Sequence, residues 1–385
     1  MAVDAPPAAG NWPTPRSAYV HVPFCRHRCG YCNFSVVAGR DDLAVPFLDA
    51  LQAELAQLGS PRPIDTLFIG GGTPTHLPPA ELDRLFDLLD HWLPVEPGGE
   101  VTAEANPEDI TPAMIEQLHR RGVKRLSLGV QSFSTPKLQH LQRGHDGRIA
   151  HQAIELAAAG IGNVSIDLIF AAPDETPAAW RDDLRAAVSS PISHLSTYAL
   201  TYEKGTQFWS RRLRGDLTSS TEDDELQMYQ DAREIAAAAG LEQYEISNFA
   251  RPGYRCRHNL AYWQGRGWYA FGPGAARFVD GRREVNHRSP TTYIRRMLAG
   301  QSPTAESESI TPVQWACERA AFGVRMIDGI DFQIIQHESG VDVAELRREG
   351  IARCLAQGWL SVNGSHHQLT AAGILMADSV AAELL

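Results

Sequence analysis

The first 200 residues alternate between short β-rich apolar runs and longer amphipathic stretches. The apolar runs fall at residues 18–22, 66–69, 100–105, 125–130, 164–170 and 194–200. Between them, residues 43–58, 79–92, 112–121, 149–159 and 178–189 repeat apolar positions at helical spacing. Strand–helix alternation of this kind builds right-handed βαβ units on a parallel sheet. Six such units are two short of a closed eightfold barrel, so the pattern predicts an α/β fold with a partial (β/α)6 barrel over residues 17–202. Parallel barrels carry their chemistry at the C-terminal ends of the strands. There the chain places a cysteine loop, Gly70-Gly71-Gly72-Thr73-Pro74, Glu104-Ala105-Asn106-Pro107 and Gly129-Val130-Gln131-Ser132. Asp167 lies in the fifth strand, and Tyr198 and Ala199 close the sixth.

Beyond the barrel the pattern changes. Residues 203–304 read as an α+β extension with little regularity. Its clear elements are a helix over 222–240, acidic at its start and closed by Gly240, and a strand over 244–249. Residues 305–385 read as a compact, mostly helical domain. Thr311-Pro312 and Asp342 start helices, Asn363-Gly364 turns a hairpin between strands at 359–362 and 366–369, and a last helix begins near Ala371. Helix, helix, hairpin and helix suggest a winged-helix-like module. Residues 1–16, rich in Ala and Pro, are expected to be a disordered lead-in.

Composition narrows the class. Of 385 residues, 43% are hydrophobic and 21% charged, as in ordinary globular proteins, and no apolar run is long enough to span a membrane. A net charge of −11 argues against a general nucleic-acid binder. The winged-helix-like segment is itself acidic, with 11 Asp and Glu against 5 Arg and Lys over 306–385, so it is read as a lid or docking surface. The opening residues lack the blocks of an export leader, and six cysteines without one point to a reducing, cytoplasmic setting.

Three of those cysteines, Cys25, Cys29 and Cys32, stand in a C-x3-C-x2-C spacing just after the first strand. Three crowded thiolates can hold three irons of a [4Fe–4S] cluster, leaving the fourth open. The competing reading is a zinc site completed by His21 or His27. The spacing resembles the radical S-adenosylmethionine (SAM) signature. That resemblance implies that SAM chelates the open iron through its amino and carboxylate groups, and that cluster reduction then splits its sulfonium to a 5′-deoxyadenosyl radical.

The other strand-end residues each carry two readings. The glycine run lets backbone approach a ligand, or simply makes a turn. Glu104 accepts from a cationic amine or ribose, or is a solvated carboxylate. Gln131 and Asp167 need partners if buried. Arg143 pairs with a ligand carboxylate or lies on the surface, and Tyr19 faces adenine or belongs to the core.

The segments Tyr-Val-His-Val-Pro-Phe-Cys, Gly-Gly-Gly-Thr-Pro-Thr, Gly-Val-Gln-Ser-Phe and Val-Ser-Ile-Asp-Leu-Ile-Phe resemble the family of oxygen-independent coproporphyrinogen III oxidase. That family includes the decarboxylating enzyme HemN and its paralogue HemW, described as a haem chaperone. The resemblance covers nearly the whole chain beyond residue 16. It implies that Cys25, Cys29 and Cys32 bind the cluster and that Tyr19, Tyr31, Gly71 and Glu104 contact the cluster-bound SAM. It also matches Gly72, Thr73, Gln131, Arg143 and Asp167 to positions that line a second SAM in HemN.

Two departures from that pattern matter. HemN carries a further cysteine where this chain has Phe34, as HemW does. The Gly-Leu-Pro after the fifth strand reads Ala171-Ala172-Pro173. In the extension, His258-Asn259-Leu260-Ala261-Tyr262-Trp263 resembles HemW's His-Asn-x-x-Tyr-Trp motif, which makes His258 either an axial haem ligand or part of a packed loop. Ala276 stands where the family has a histidine. The expectation is a HemW-type haem chaperone that passes haem to an acceptor, with [4Fe–4S], SAM and haem as its ligands. The alternatives are oxidative decarboxylation of coproporphyrinogen III to protoporphyrinogen IX, and a separate radical SAM activity on another tetrapyrrole. The sequence names neither the electron donor nor the haem acceptor.

Overall fold

The structure, a computed structural model, describes residues 12–385. Six parallel strands carry the barrel: β1 (Ser17–Val22), β2 (Ile64–Gly71), β3 (Val95–Ala105), β4 (Arg125–Gln131), β5 (Val164–Phe170) and β6 (His194–Ala199). They lie side by side in chain order, as βαβ winding requires. Period-2 alternation sorts each strand's side chains. In β4, Leu126, Leu128 and Val130 are fully buried in the main apolar core, while Ser127, Gly129 and Gln131 line a cavity. Helices Pro112–Arg120 and Pro177–Ser189 start on Thr111 and Thr176, whose hydroxyls accept the first free amides, with proline at the first helical position.

The extension joins the same sheet instead of packing as a separate layer. Of β7 (Glu242–Gln243) and β8 (Asn248–Ala250), β8 lies beside β6 and antiparallel to it, and β7 lies outside β8 and antiparallel to β8. On the other side of β1, β9 (Trp268–Phe271) pairs in parallel, followed by the antiparallel meander β10 (Ala276–Val279), β11 (Arg282–Asn286) and β12 (Thr304–Ser309). The result is one twelve-stranded sheet with β12 and β7 at its ends, which are not paired with each other among the described residues. Among the described residues the sheet is therefore not closed by strand pairing. The strand expected over 244–249 is cut to Asn248–Ala250. The Glu245 carboxylate turns back to accept from the Ser247 amide at 3.0 Å and from the Asn248 side chain, which bends the chain out of the ladder.

Two buried carboxylates fasten the extension to the barrel. Glu54, on the helix Ala44–Leu55, accepts from the Gly272 amide (2.8 Å), Asn286 (2.7 Å) and the Tyr293 hydroxyl (2.6 Å). Glu100, on β3, accepts the amides of Arg257 (3.0 Å) and His258 (3.1 Å) that open the helix Arg257–Trp263. Buried charge at such positions is tolerated because the donors are supplied in place.

The C-terminal segment has its own apolar core. A capping box of Thr311 and Gln314 opens Pro312–Gly323, and Asp342 caps Val343–Leu346, a helix that breaks before Arg348–Ala356. The strands Leu360–Asn363 and His366–Leu369 form the expected hairpin about Gly364, and Ile330–Asp331 adds a third strand. Packing begins earlier than residue 17. Trp12 lies against Phe278 and Trp315, and Arg16 binds Asp65, so residues 12–16 do not belong to the disordered lead-in expected over 1–16; residues 1–11 lie outside the described range. Among the described residues, no helix is long and apolar enough to cross a membrane.

Candidate functional site

A cavity of about 1110 Å3 opens at the C-terminal ends of the barrel strands. Cys25, Cys29, Cys32, Tyr19, Tyr31, Gly71, Gly72, Thr73, Glu104, Gln131, Arg143 and Asp167 all line it. These are all the candidates except His258.

The cysteine loop leaves β1 and is pinned to the barrel by hydrogen bonds around its sulfurs. The Thr73 hydroxyl donates to Cys25 Sγ (3.6 Å), Arg143 Nη1 to Cys29 Sγ (3.6 Å) and the Phe34 amide to Cys32 Sγ (3.4 Å). Burial pushes the Cys25 thiol up to about 12, and the Thr73 hydroxyl opposes that push. A buried site of thiols needs added positive charge to ionise, which metal supplies. The two histidines nearby have partners within the protein. His21 accepts the Tyr19 hydroxyl at Nδ1 (3.0 Å) and donates Nε2–H to the Ser35 carbonyl (3.0 Å), while burial lowers it to about 4. His27 gives its Nε2–H to the Gln142 carbonyl (2.6 Å), with the same nitrogen 3.6 Å from Cys29 Sγ. Among the described residues, no three ligand side chains converge on a single ion. Thiolates on three separate irons of a cluster need no such convergence.

The glycine run is closely packed by the protein's own groups. Its amides are already paired: Gly71 with Glu104 Oε2 (2.9 Å), Gly72 with the Val22 carbonyl (2.8 Å) and Thr73 with the Phe24 carbonyl (2.7 Å). Gly71 has φ +102, and a Cβ there would meet the His21 ring at 2.4 Å. A Cβ on Gly72 would meet the carbonyls of Phe24 (2.6 Å) and Val22 (2.7 Å). Side chains are excluded here by the protein itself, so that the cysteine loop can lie against the end of β2.

Glu104 lines the cavity. Burial, reinforced by Asp167, raises it to about 7. Asp167 is also raised by burial, and Ser127 donates to it weakly (3.5 Å). Gln131 ends β4 with φ +65, a left-handed backbone that is costly for a residue with a side chain. Tyr31 packs edge-on against Phe208, beside Arg143. Where the family pattern has Gly-Leu-Pro, Ala171 takes φ +59, at a cost of roughly 1 kcal/mol.

Two groups of residues escaped sequence reasoning. Asn106 bridges Arg143 and Thr73, and its position two residues after Glu104 at a strand end was the available signal. His145 donates to the Val130 carbonyl (3.0 Å) and pairs with Glu108 (3.2 Å), anchoring the loop that carries Arg143. Against the upward push of burial, the His145 bond holds Glu108 down to about 2.

His258 does not reach the cavity. Its Nδ1 bonds the Thr66 hydroxyl (2.9 Å) and its Nε2 the Tyr262 hydroxyl (2.8 Å), and it is 1% exposed. Thr66 lies in the N-terminal half of β2, away from the cysteine end. Burial, with Arg125 nearby, lowers the ring to about 3. The axial-ligand reading of His258 is therefore corrected: both nitrogens are engaged inside the fold, and the residue holds the extension to the barrel.

Six parallel barrel strands with a three-cysteine loop at their C-terminal ends are the radical SAM arrangement. Residues 19–187 match the radical SAM superfamily model, and residues 311–376 match the HemN C-terminal domain. The chain is 36% identical over 380 residues to heme chaperone HemW of Mycobacterium tuberculosis, covering 96% of this chain and 95% of the relative. It is 32% identical over 379 residues to heme chaperone HemW of Escherichia coli, covering 95% and 97%. The structure superposes on HemN, the coproporphyrinogen III oxidase of Escherichia coli, with a TM-score of 0.84 over 97% of this chain and 90% of that one. At 23% identity that likeness establishes the fold and not the reaction. The chain belongs to the HemN/HemW family of radical SAM proteins, on the HemW side. Membership implies a [4Fe–4S] cluster and SAM as cofactors.

Proposed function

We propose that this chain is a haem chaperone of the HemW type, which holds haem and delivers it to an acceptor from a radical SAM core. The observation that carries the reading is Phe34, 61% exposed on the cysteine loop at the cavity mouth, where the decarboxylating enzyme has a cysteine. An exposed aromatic face suits a flat macrocycle and offers no thiol chemistry. Near-full-length similarity to HemW relatives supports the same choice over decarboxylation.

In this reading Cys25, Cys29 and Cys32 hold the cluster. Glu104, braced by the Gly71 amide, receives the amino group of SAM beside the Gly71–Gly72 turn, while Tyr19 and Tyr31 flank it. Gln131, Asp167, Thr73 and Arg143 form the inner wall. When bound, cluster and SAM supply an electron and a sulfonium open to reductive cleavage. The chain's part is to bury the site, present Glu104 as a counter-charge and keep His21 neutral behind Tyr19. The free thiols of the remaining cysteines, Cys256, Cys317 and Cys354, fit a reducing cytoplasm.

The test uses anaerobically prepared, cluster-loaded full-length protein. Haem titrated by absorbance should bind, and coproporphyrinogen supplied with SAM and a reductant should release no carbon dioxide. Carbon dioxide release in step with substrate loss would replace the chaperone by the oxidase.

A further inference from the structure

A continuous arc of hydrogen bonds runs between two of the cysteine sulfurs. Arg143 Nη1 donates to Cys29 Sγ at 3.6 Å, and Nη2 donates to Asn106 Oδ1 and to the Gly129 carbonyl (2.8 Å). Asn106 Nδ2 donates to Thr73 Oγ1 at 2.8 Å, and Thr73 Oγ1 donates to Cys25 Sγ at 3.6 Å. The direction of every bond follows from the first. A guanidinium only donates, so the oxygen of Asn106 must face it and the amide NH2 must face Thr73. The Thr73 oxygen then accepts, which leaves its proton for sulfur. Thr73 is 1% exposed, so no water competes for that proton.

The three residues come from separate places: Thr73 follows β2, Asn106 follows β3, and Arg143 lies in the loop beyond β4. The arc therefore ties three barrel segments to the loop that follows β1. Its strongest donor is charged. Arg143 Nε is buried without a partner, so its placement is not explained by full satisfaction of its own donors.

We propose that Thr73, Asn106 and Arg143 are positioning residues that direct hydrogen bonds onto the Cys25 and Cys29 sulfurs, ordering the cysteine loop and raising the reduction potential of the cluster held there. This rests on the reading of the three cysteines as cluster ligands. Donors to ligating sulfur stabilise the more negative, reduced state, and outer partners of metal ligands orient them. The arc uses Thr73 and Arg143 for the cluster, where the family resemblance gives them to a second SAM.

The experiment compares Thr73→Val, Thr73→Ser, Asn106→Asp and Arg143→Gln in full-length protein, reconstituted anaerobically and without SAM. Iron per chain, far-ultraviolet circular dichroism and an EPR-monitored redox titration are measured. Asn106→Asp keeps the acceptor for Arg143 but cannot donate to Thr73, which turns its hydroxyl towards the new carboxylate. Thr73→Val, Asn106→Asp and Arg143→Gln should each have a more negative potential than the parent, and Thr73→Ser should match the parent. A variant that folds normally but takes up less iron supports the ordering role. Full iron and parent potential in all three would overturn the proposal, as would equal shifts in Thr73→Ser and Thr73→Val. Cys29→Ser is run alongside. Undiminished iron there sinks the cluster assignment itself, whereas iron loss there with unshifted arc variants sinks the arc alone.

Discussion

Glu104 accepts the amide of Gly71 at 2.9 Å, so the acid at the end of β3 and the glycine run at the end of β2 are one unit. The bond fixes one oxygen of a carboxylate that lines the cavity.

Because burial and Asp167 raise Glu104 to about 7, its charge changes near neutral pH. The groups facing it are Asp167, which opposes ionisation, Arg125, which favours it, and Tyr19. An ammonium group placed at the carboxylate needs it ionised. SAM affinity should therefore fall as pH drops below about 7, approaching tenfold per pH unit. In Glu104→Gln the affinity should be low and this dependence absent. The unloaded protein should show the opposite linkage. A raised carboxyl holds its proton more tightly when folded, so stability falls as pH rises from 4.5 to about 7. Calorimetric SAM titrations and thermal melts across this range check both signs. A parent affinity that ignores pH would remove Glu104 from the amine site.

Gly72 gives a sharper expectation than its place in a ligand loop would. A Cβ there meets the Phe24 and Val22 carbonyls, which themselves accept from Thr73 and Gly72. Gly72→Ala should displace the start of the cysteine loop, lowering iron uptake together with SAM binding. The overpacking should cost about 1–3 kcal/mol of stability. Iron analysis and a denaturant melt decide it. Full iron with parent stability would show that the backbone yields freely at this point.

Much of this arrangement was legible in the sequence. The strands of the barrel announce themselves by alternation, and the rule that chemistry sits at their C-terminal ends gathers Cys25, Glu104, Gln131 and Asp167 around one cavity. What stayed hidden depends on distant pairing or on side-chain direction. Trp268–Phe271 joins the sheet beside β1, a contact between residues some 250 apart that no local pattern encodes. Asn106 looks like an ordinary turn residue until Arg143 and Thr73 are found on either side of it. At the glycine run, residue type alone does not tell room left for a cofactor from room taken by a neighbouring carbonyl. The His-Asn-x-x-Tyr-Trp motif has the residue types of a haem site, yet its histidine is spent on Thr66 and Tyr262.

That last geometry yields the prediction that separates a ligand from a strut. His258→Leu removes both ring hydrogen bonds and leaves the hydroxyls of Thr66 and Tyr262 unpaired in the interior. The loss should be about 2–4 kcal/mol. Haem affinity and the haem absorption band should remain those of the parent at temperatures where the variant is folded. The pH dependence points the same way. The folded ring, lowered to about 3 by burial, binds its proton less readily than the unfolded ring at 6.5. The parent should therefore lose stability as pH falls through that interval, and the leucine variant should lack this contribution. A histidine ligand to haem would instead show haem release near the ordinary histidine range with little change in the melt. If His258→Leu shifts the haem band or weakens binding while melting like the parent, the ring must leave Thr66 to reach the iron, and its role as an internal strut fails.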